Sequence, residues 1–126
     1  MIKEILHPSA AFFCVVLFAR TSKAASRLCK QFREGTTKKY YRAIVLGKLK
    51  QARATLVHYL RKGKSLKATV FPRETPTAKR SELSYEVIDL LGENTLVEVI
   101  LSTGRFHQIR AQMAFTGHPI MGDVKY

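Results

Sequence analysis

Ser102-Thr-Gly-Arg-Phe-His-Gln-Ile-Arg-Ala-Gln-Met-Ala-Phe-Thr-Gly-His-Pro-Ile-Met-Gly-Asp123 is the stretch on which the reading of this 126-residue chain turns. Thr103-Gly104 ends a segment of alternating apolar residues, the signature of a strand. Phe106, Ile109 and Met113 then fall at i, i+3 and i+7, which predicts an amphipathic helix with those three on its packed stripe. Gly117 suits the position just past a helix end, and Pro119 blocks continuation. His107 and Arg110 lie three apart and should share one side of the helix, with Arg105 just before its first turn. Cationic and amide side chains at a strand–helix junction braced by glycines read as a site.

Upstream of the junction, Leu83–Leu91 and Thr95–Ser102 both alternate, and Gly92-Glu-Asn94 supplies a turn, so the two form an antiparallel hairpin. Lys39–Gly47 is a strand with apolar residues on both faces, which places it in the interior of a sheet. Further strands are predicted at about Ala54–Leu60 and Ala68–Phe71, separated by the basic turn Arg61-Lys-Gly-Lys-Ser65; Pro72–Arg80 is a loop. Cys14–Ala19 is apolar throughout and reads as a fully buried strand. Thr21 or Ser22 caps a helix whose stripe is Ala25, Leu28, Cys29 and Phe32, and Gly35 stops it. Met1–Leu6 shows no clear period. Strands joined by short turns, with two helices, give an α+β class with a largely antiparallel sheet and flanking helices.

Residues 1–80 hold 19 Lys and Arg against 3 Glu, whereas residues 81–126 hold 3 against 6 Asp and Glu. The net charge of +13 exceeds what solubility alone asks of a small domain and points to a polyanion, nucleic acid first. Cys14 and Cys29, one in an apolar run and one on a helix stripe, read as two buried thiols in a reducing, cytoplasmic compartment. No Cys or His spacing suggests a metal. Lys3 with the apolar run Ser9–Ala19 imitates a signal peptide, but eleven residues are too few to span a bilayer.

The motif Gly104-Arg-Phe-His-Gln-Ile-Arg110, with Gly117-His-Pro-Ile-Met-Gly-Asp123 and Tyr126, resembles the signature of the RluA-type RNA pseudouridine synthases. Lys39-Tyr-Tyr-Arg-Ala-Ile-Val-Leu-Gly47 is similar to that family's K-x-Y-x-A-x-V-x-G strand, and Val15–Ala25 resembles the strand and helix before it. The resemblance implies a mixed sheet, two segments (an atypical 1–14 and a partial catalytic domain over 15–126), no cofactor, and a monomer that isomerises uridine in structured rRNA or tRNA. Such enzymes flip a uridine out, detach its base from C1′ and rejoin it through C5. Their essential group is the aspartate of an H-R-L-D-R motif, which should fall near Ser9; Leu6–Cys14 contains no acid. The resemblance gives Tyr41 the role of stacking on the target base and Arg110 that of pairing the catalytic carboxylate. It leaves Lys38, Lys39, Arg105, His107 and Gln108 as RNA contacts, with His107 and Gln108 also organising the junction. The expectation is a truncated, catalytically impaired synthase, with Arg110 left as a spare anion ligand. The break in resemblance at Cys14 reads as a frame or start-site error in the gene. The competing expectations are a non-catalytic basic RNA-binding module and a gene fragment without function.

Overall fold

The computed structural model describes residues 2–6 and 13–126. They form two compact units, Met1–Lys38 and Lys39–Tyr126. In the first, β1 (Ile2–Leu6) pairs antiparallel with β2 (Phe13–Leu17), and α1 (Ser22–Arg33) follows. Strand β1 has no counterpart in the sequence reading. Strand β2 stops at Leu17, and neither Leu17 nor Phe18 is buried. A two-stranded ribbon leaves side chains uncovered, so the expectation of a fully buried strand over Cys14–Ala19 does not hold at its described end. The side chain of Cys14 lies outside the described residues.

Helix α1 starts where its cap predicts. Thr21 is extended, and its hydroxyl accepts the Ala24 N–H at 3.2 Å. Gly35 turns left-handed just past the end, at φ 67°. The predicted stripe is present in sequence but none of its residues is buried, and Cys29 is exposed. The reading of Cys29 as a buried thiol is therefore corrected: periodicity marks a face and does not supply what covers it.

The second unit is a five-stranded sheet in the order β3-β7-β6-β4-β5. Its strands are β3 (Lys39–Val45), β4 (Arg53–Lys62), β5 (Ala68–Phe71), β6 (Lys79–Leu91) and β7 (Asn94–Leu101), and every described pairing is antiparallel. The β6–β7 hairpin closes on Gly92 at φ 64°, as its turn residues predict. Strand β6 begins four residues before the expected Leu83, because Lys79 and Arg80 pair with Leu60 and Tyr59. Strand β3 is an edge strand of the sheet and not an interior one. Its outer side is met by the loop after α2: Leu46 N–H donates to Pro119 C=O, Met121 N–H donates to Ile44 C=O, and Val45 bridges Ile120.

One face of the sheet carries the core: Val45, Val97, Val99, Leu83, Tyr85 and Leu60 are buried there with Ala68. Helix α2 (Gln108–Phe115) packs on β4 and β5, with Ala111 against Leu60 and Ala68. Gln112, also buried, donates from Nε2 to His58 Nδ1 at 2.9 Å and to Leu56 C=O at 3.3 Å, which ties the helix to β4. The opposite face carries the cross-strand pairs Arg42–Glu98 and Arg53–Glu86 among exposed apolar residues such as Tyr40, Val57 and Ile100. No helix among the described residues is long and apolar enough to cross a membrane.

Candidate functional site

The junction between β7 and α2 is tied together by one amide. Gln108 is 3% exposed. Its Oε1 accepts from Thr103 Oγ1 and from Arg105 N–H, both at 2.9 Å, and its Nε2 donates to Glu82 C=O at 3.0 Å. The backbone N–H groups of Ser102 and Thr103 converge on the same carbonyl. Burial and these bonds make Gln108 an organiser of the loop.

Helix α2 begins at Gln108, later than the sequence pattern implies. His107 is its N-cap and sits left-handed, at φ 52° and ψ 29°, a conformation uncommon for non-glycine residues, among which histidine is one of those that adopt it most readily. The helix is thus broken before Phe106 can join the stripe. Phe106 lies outside the helix whose stripe its spacing predicts it to join; it is 37% exposed and stacks on the His107 ring at 3.9 Å.

His107, Arg110, Asp123 and Tyr126 come together beside that break. Arg110 meets Asp123 through two parallel N–H donors, Nε to Oδ2 at 2.6 Å and Nη2 to Oδ1 at 2.7 Å. The Asp123 side chain is 0% exposed. Its Oδ1 also accepts the Lys125 N–H at 2.9 Å. The Arg110 hydrogen bonds hold the Asp123 carboxyl below the usual carboxylate range, against the upward push of burial, and the same bonds raise Arg110. The expectation of a spare Arg110 is overturned: the loop past Gly117 and Pro119 carries Asp123 back to α2, a pairing across 13 residues that no helical spacing encodes.

Tyr126 supports the group from below. Its hydroxyl accepts the Ala68 N–H at 2.6 Å and lies 3.0 Å from His107 Nδ1, and the Arg110 guanidinium sits 5.3 Å from its ring centroid. Arg110 Nη1 lies 3.4 Å from His107 Nε2. One assignment accommodates all of these contacts: a neutral imidazole that donates from Nδ1 to Tyr126 and accepts at Nε2 from Arg110. Burial lowers the His107 pKa, and the Arg110 and Lys125 charges lower it further, which keeps the ring neutral. Sequence reasoning places Asp123 and Tyr126 in the motif without giving either a role; the signal that singles them out is the Gly-Asp-x-x-Tyr spacing that returns them to α2.

Arg105 is exposed and donates from Nε to Arg80 C=O at 3.2 Å. Lys39 pairs with Leu101 in the sheet, and its ammonium lies over Gly104, where a Cβ would meet it at 3.2 Å. Lys39 and Arg105 are therefore brought to the same loop. Tyr41 pairs with Val99 in β3, on the core-bearing face, yet is 43% exposed because β3 is at the edge. Lys38 is exposed and belongs to the first unit. Among the described residues no group of three or more His, Cys, Asp and Glu side chains forms a place for a metal ion.

A basic strand–helix junction on an antiparallel sheet, with a guanidinium and a tyrosine near it, matches a known class. The chain belongs to the RNA pseudouridylate synthase family, whose model matches residues 15–115. It is 35% identical over 112 residues to a ribosomal large subunit pseudouridine synthase C of Vibrio parahaemolyticus, covering 89% of this chain and 35% of that protein. It is 34% identical over 112 residues to a ribosomal large subunit pseudouridine synthase D of Blochmanniella floridana, covering 89% of this chain and 34% of that protein. The chain thus spans about a third of the length of these curated relatives. The fold is shared with the solved human RNA pseudouridylate synthase domain containing 1, at a TM-score of 0.79 and 24% identity, over 100% of this chain and 55% of that one.

Proposed function

We propose that this chain is a pseudouridine-synthase-type domain that engages structured RNA, ribosomal or transfer, and that the 126 residues taken alone bind without isomerising uridine. The observation that carries the reading is the Arg110–Asp123 pair. The family resemblance gives Arg110 the task of holding a catalytic carboxylate, yet here the guanidinium already holds Asp123 with two bonds. The Asp123 side chain is 0% exposed, and a carboxylate closed off in this way is poorly placed to attack C1′ or to take a proton. Residues 7–14, where the family aspartate should fall, contain no acid.

Tyr41, half exposed on β3, is the residue for stacking on the target base. Lys38, Lys39 and Arg105 contact phosphate, and His107 with Gln108 sets the junction on which Arg105 stands. The rRNA modification named for the relatives supports ribosomal RNA as the first substrate to try. Release of tritium from RNA carrying 5-tritiated uridine, with this chain at substrate-level concentration, tests the chemistry. No release is expected. Release that disappears in Tyr41→Phe or Arg110→Ala would overturn the reading.

A further inference from the structure

Phe106 is a large aromatic residue that the helix stripe claims and the fold leaves at the surface. Its ring stacks on His107, with centroids 3.9 Å apart and planes at 21°, and the His107 ring meets Tyr126 edge-on at 5.8 Å. The β4–β5 turn lies beside this row of rings. Lys62, at the end of β4, places its ammonium 4.7 Å from the Phe106 ring centroid, and Lys67, just before β5, places its own 5.1 Å from that of Tyr126. The turn is held closed by the Gly63 N–H bonded to Lys67 C=O at 2.8 Å, and Leu66 takes a left-handed φ of 55°. A short, constrained basic turn thus sets cations over aromatic faces.

We infer that Phe106, backed by His107, is a stacking platform for one unpaired base of single-stranded RNA, with Lys62 and Lys67 taking the phosphates on either side. The inference rests on the RNA-binding reading and names the form of RNA it takes. The charge of the turn suits a polyanion, and the exposed ring suits a base; alternation of the two is how sequence-tolerant single-strand sites are built. A base arriving at Phe106 exchanges a cation–π contact for a stack and frees the Lys62 ammonium for phosphate. A duplex offers no such base, since its faces are already stacked.

The experiment uses the whole chain and a short single-stranded RNA containing one 2-aminopurine, whose fluorescence is quenched on stacking, beside the same RNA in a duplex. Binding of the single strand should quench the probe, and binding of the duplex should not. Phe106→Leu keeps an apolar side chain and should weaken single-strand binding about fivefold or more, the low end of one base–aromatic stack, and abolish the quench. Phe106→Tyr should restore both. Lys62→Ala should weaken binding more than Lys48→Ala, which removes the same charge from a residue paired to Glu93 away from the rings. That comparison carries the test if Phe106→Leu folds poorly. RNA binding with an unchanged quench in Phe106→Leu, or equal effects of Lys62→Ala and Lys48→Ala, overturns the platform and leaves the RNA-binding reading standing. No binding of either RNA overturns both.

Discussion

The Asp123 carboxylate is buried and still charged, because Arg110 presents two donors in the planar fork that fits it. Asp123→Ala removes both of those bonds and should cost about 3 kcal/mol, the low end for breaking a buried pair because Arg110 keeps contact with water. Arg110→Lys loses the fork and should cost less than Asp123→Ala. Urea midpoints read both, and an Asp123→Ala midpoint equal to that of the parent would show that the pair does not hold the loop. Two histidines near α2, His58 and His107, add a pH dependence whose sign is fixed. Burial lowers His58, and burial with the Arg110 and Lys125 charges lowers His107. The unfolded chain therefore takes up these protons near pH 6.5 while the folded chain still refuses them. Between the two values the unfolded state holds more protons, so stability falls as pH drops below about 6.5. Asp123, depressed in the fold, extends the loss further into acid as its carboxylate is protonated. Denaturant midpoints from about pH 8 down to about pH 5 should decline, and less so in His58→Gln with His107→Gln. A profile that rises toward acid would contradict both placements.

Two glycines at element ends separate a conformational requirement from a packing one. Gly47, after β3, sits at φ 82°, and a Cβ there would meet the His118 ring at 3.2 Å. Gly104, after β7, has no left-handed φ, and its added Cβ would meet only the flexible end of Lys39 at 3.2 Å. Gly47→Ala should cost about 1–2 kcal/mol through the left-handed penalty alone, whereas Gly104→Ala should stay within about 0.5 kcal/mol. Thermal unfolding of the two variants side by side decides it, and equal losses would show that φ is not what matters. Local signals of this kind make much of the fold legible from sequence. Strand β5 matches its expected ends, and Gly92 and Gly117 mark the hairpin turn and the helix end. Alternation in Lys39–Gly47 shows two apolar faces but carries no information on neighbours, so it predicts an interior strand where β3 forms the edge. The apolar spacing that includes Phe106 is real, yet the left-handed His107 caps the helix so that it begins only at Gln108 and leaves Phe106 outside it. At the site, the cluster at the junction is visible because its members are close in sequence. The partner of Arg110 is not, because a loop and a bridge to β3 bring Asp123 back.

At the scale of the whole molecule, the distribution of charge matters more than its total. Five of the six acids in residues 81–126 are spent on cations of the same unit: Glu82 on Arg80, Glu86 on Arg53, Glu93 on Lys48, Glu98 on Arg42 and Asp123 on Arg110. Most of those pairs are exposed and contribute little to stability, but they neutralise the scaffold. The net charge of +13 is then carried largely by side chains outside these pairs. Lys38 and Lys39, and the cations of the β4–β5 turn, are among them; Lys62 and Lys67 lean on rings. Such charges bind phosphate by displacing condensed counterions, which makes affinity a steep function of salt. With about four phosphates neutralised, the slope of log affinity against log salt should lie near −3 for single-stranded RNA. Lys38→Ala with Lys39→Ala should make the slope shallower by about 0.7 for each phosphate that is no longer neutralised, and should weaken binding to unrelated sequences by the same factor. Fluorescence anisotropy titrations from about 50 to about 200 mM salt, on two RNAs of different sequence, read slope and selectivity together. A slope near zero would mean that the cations do not face RNA at all. A weakening confined to one of the two sequences would move Lys38 and Lys39 from the phosphate backbone to the bases.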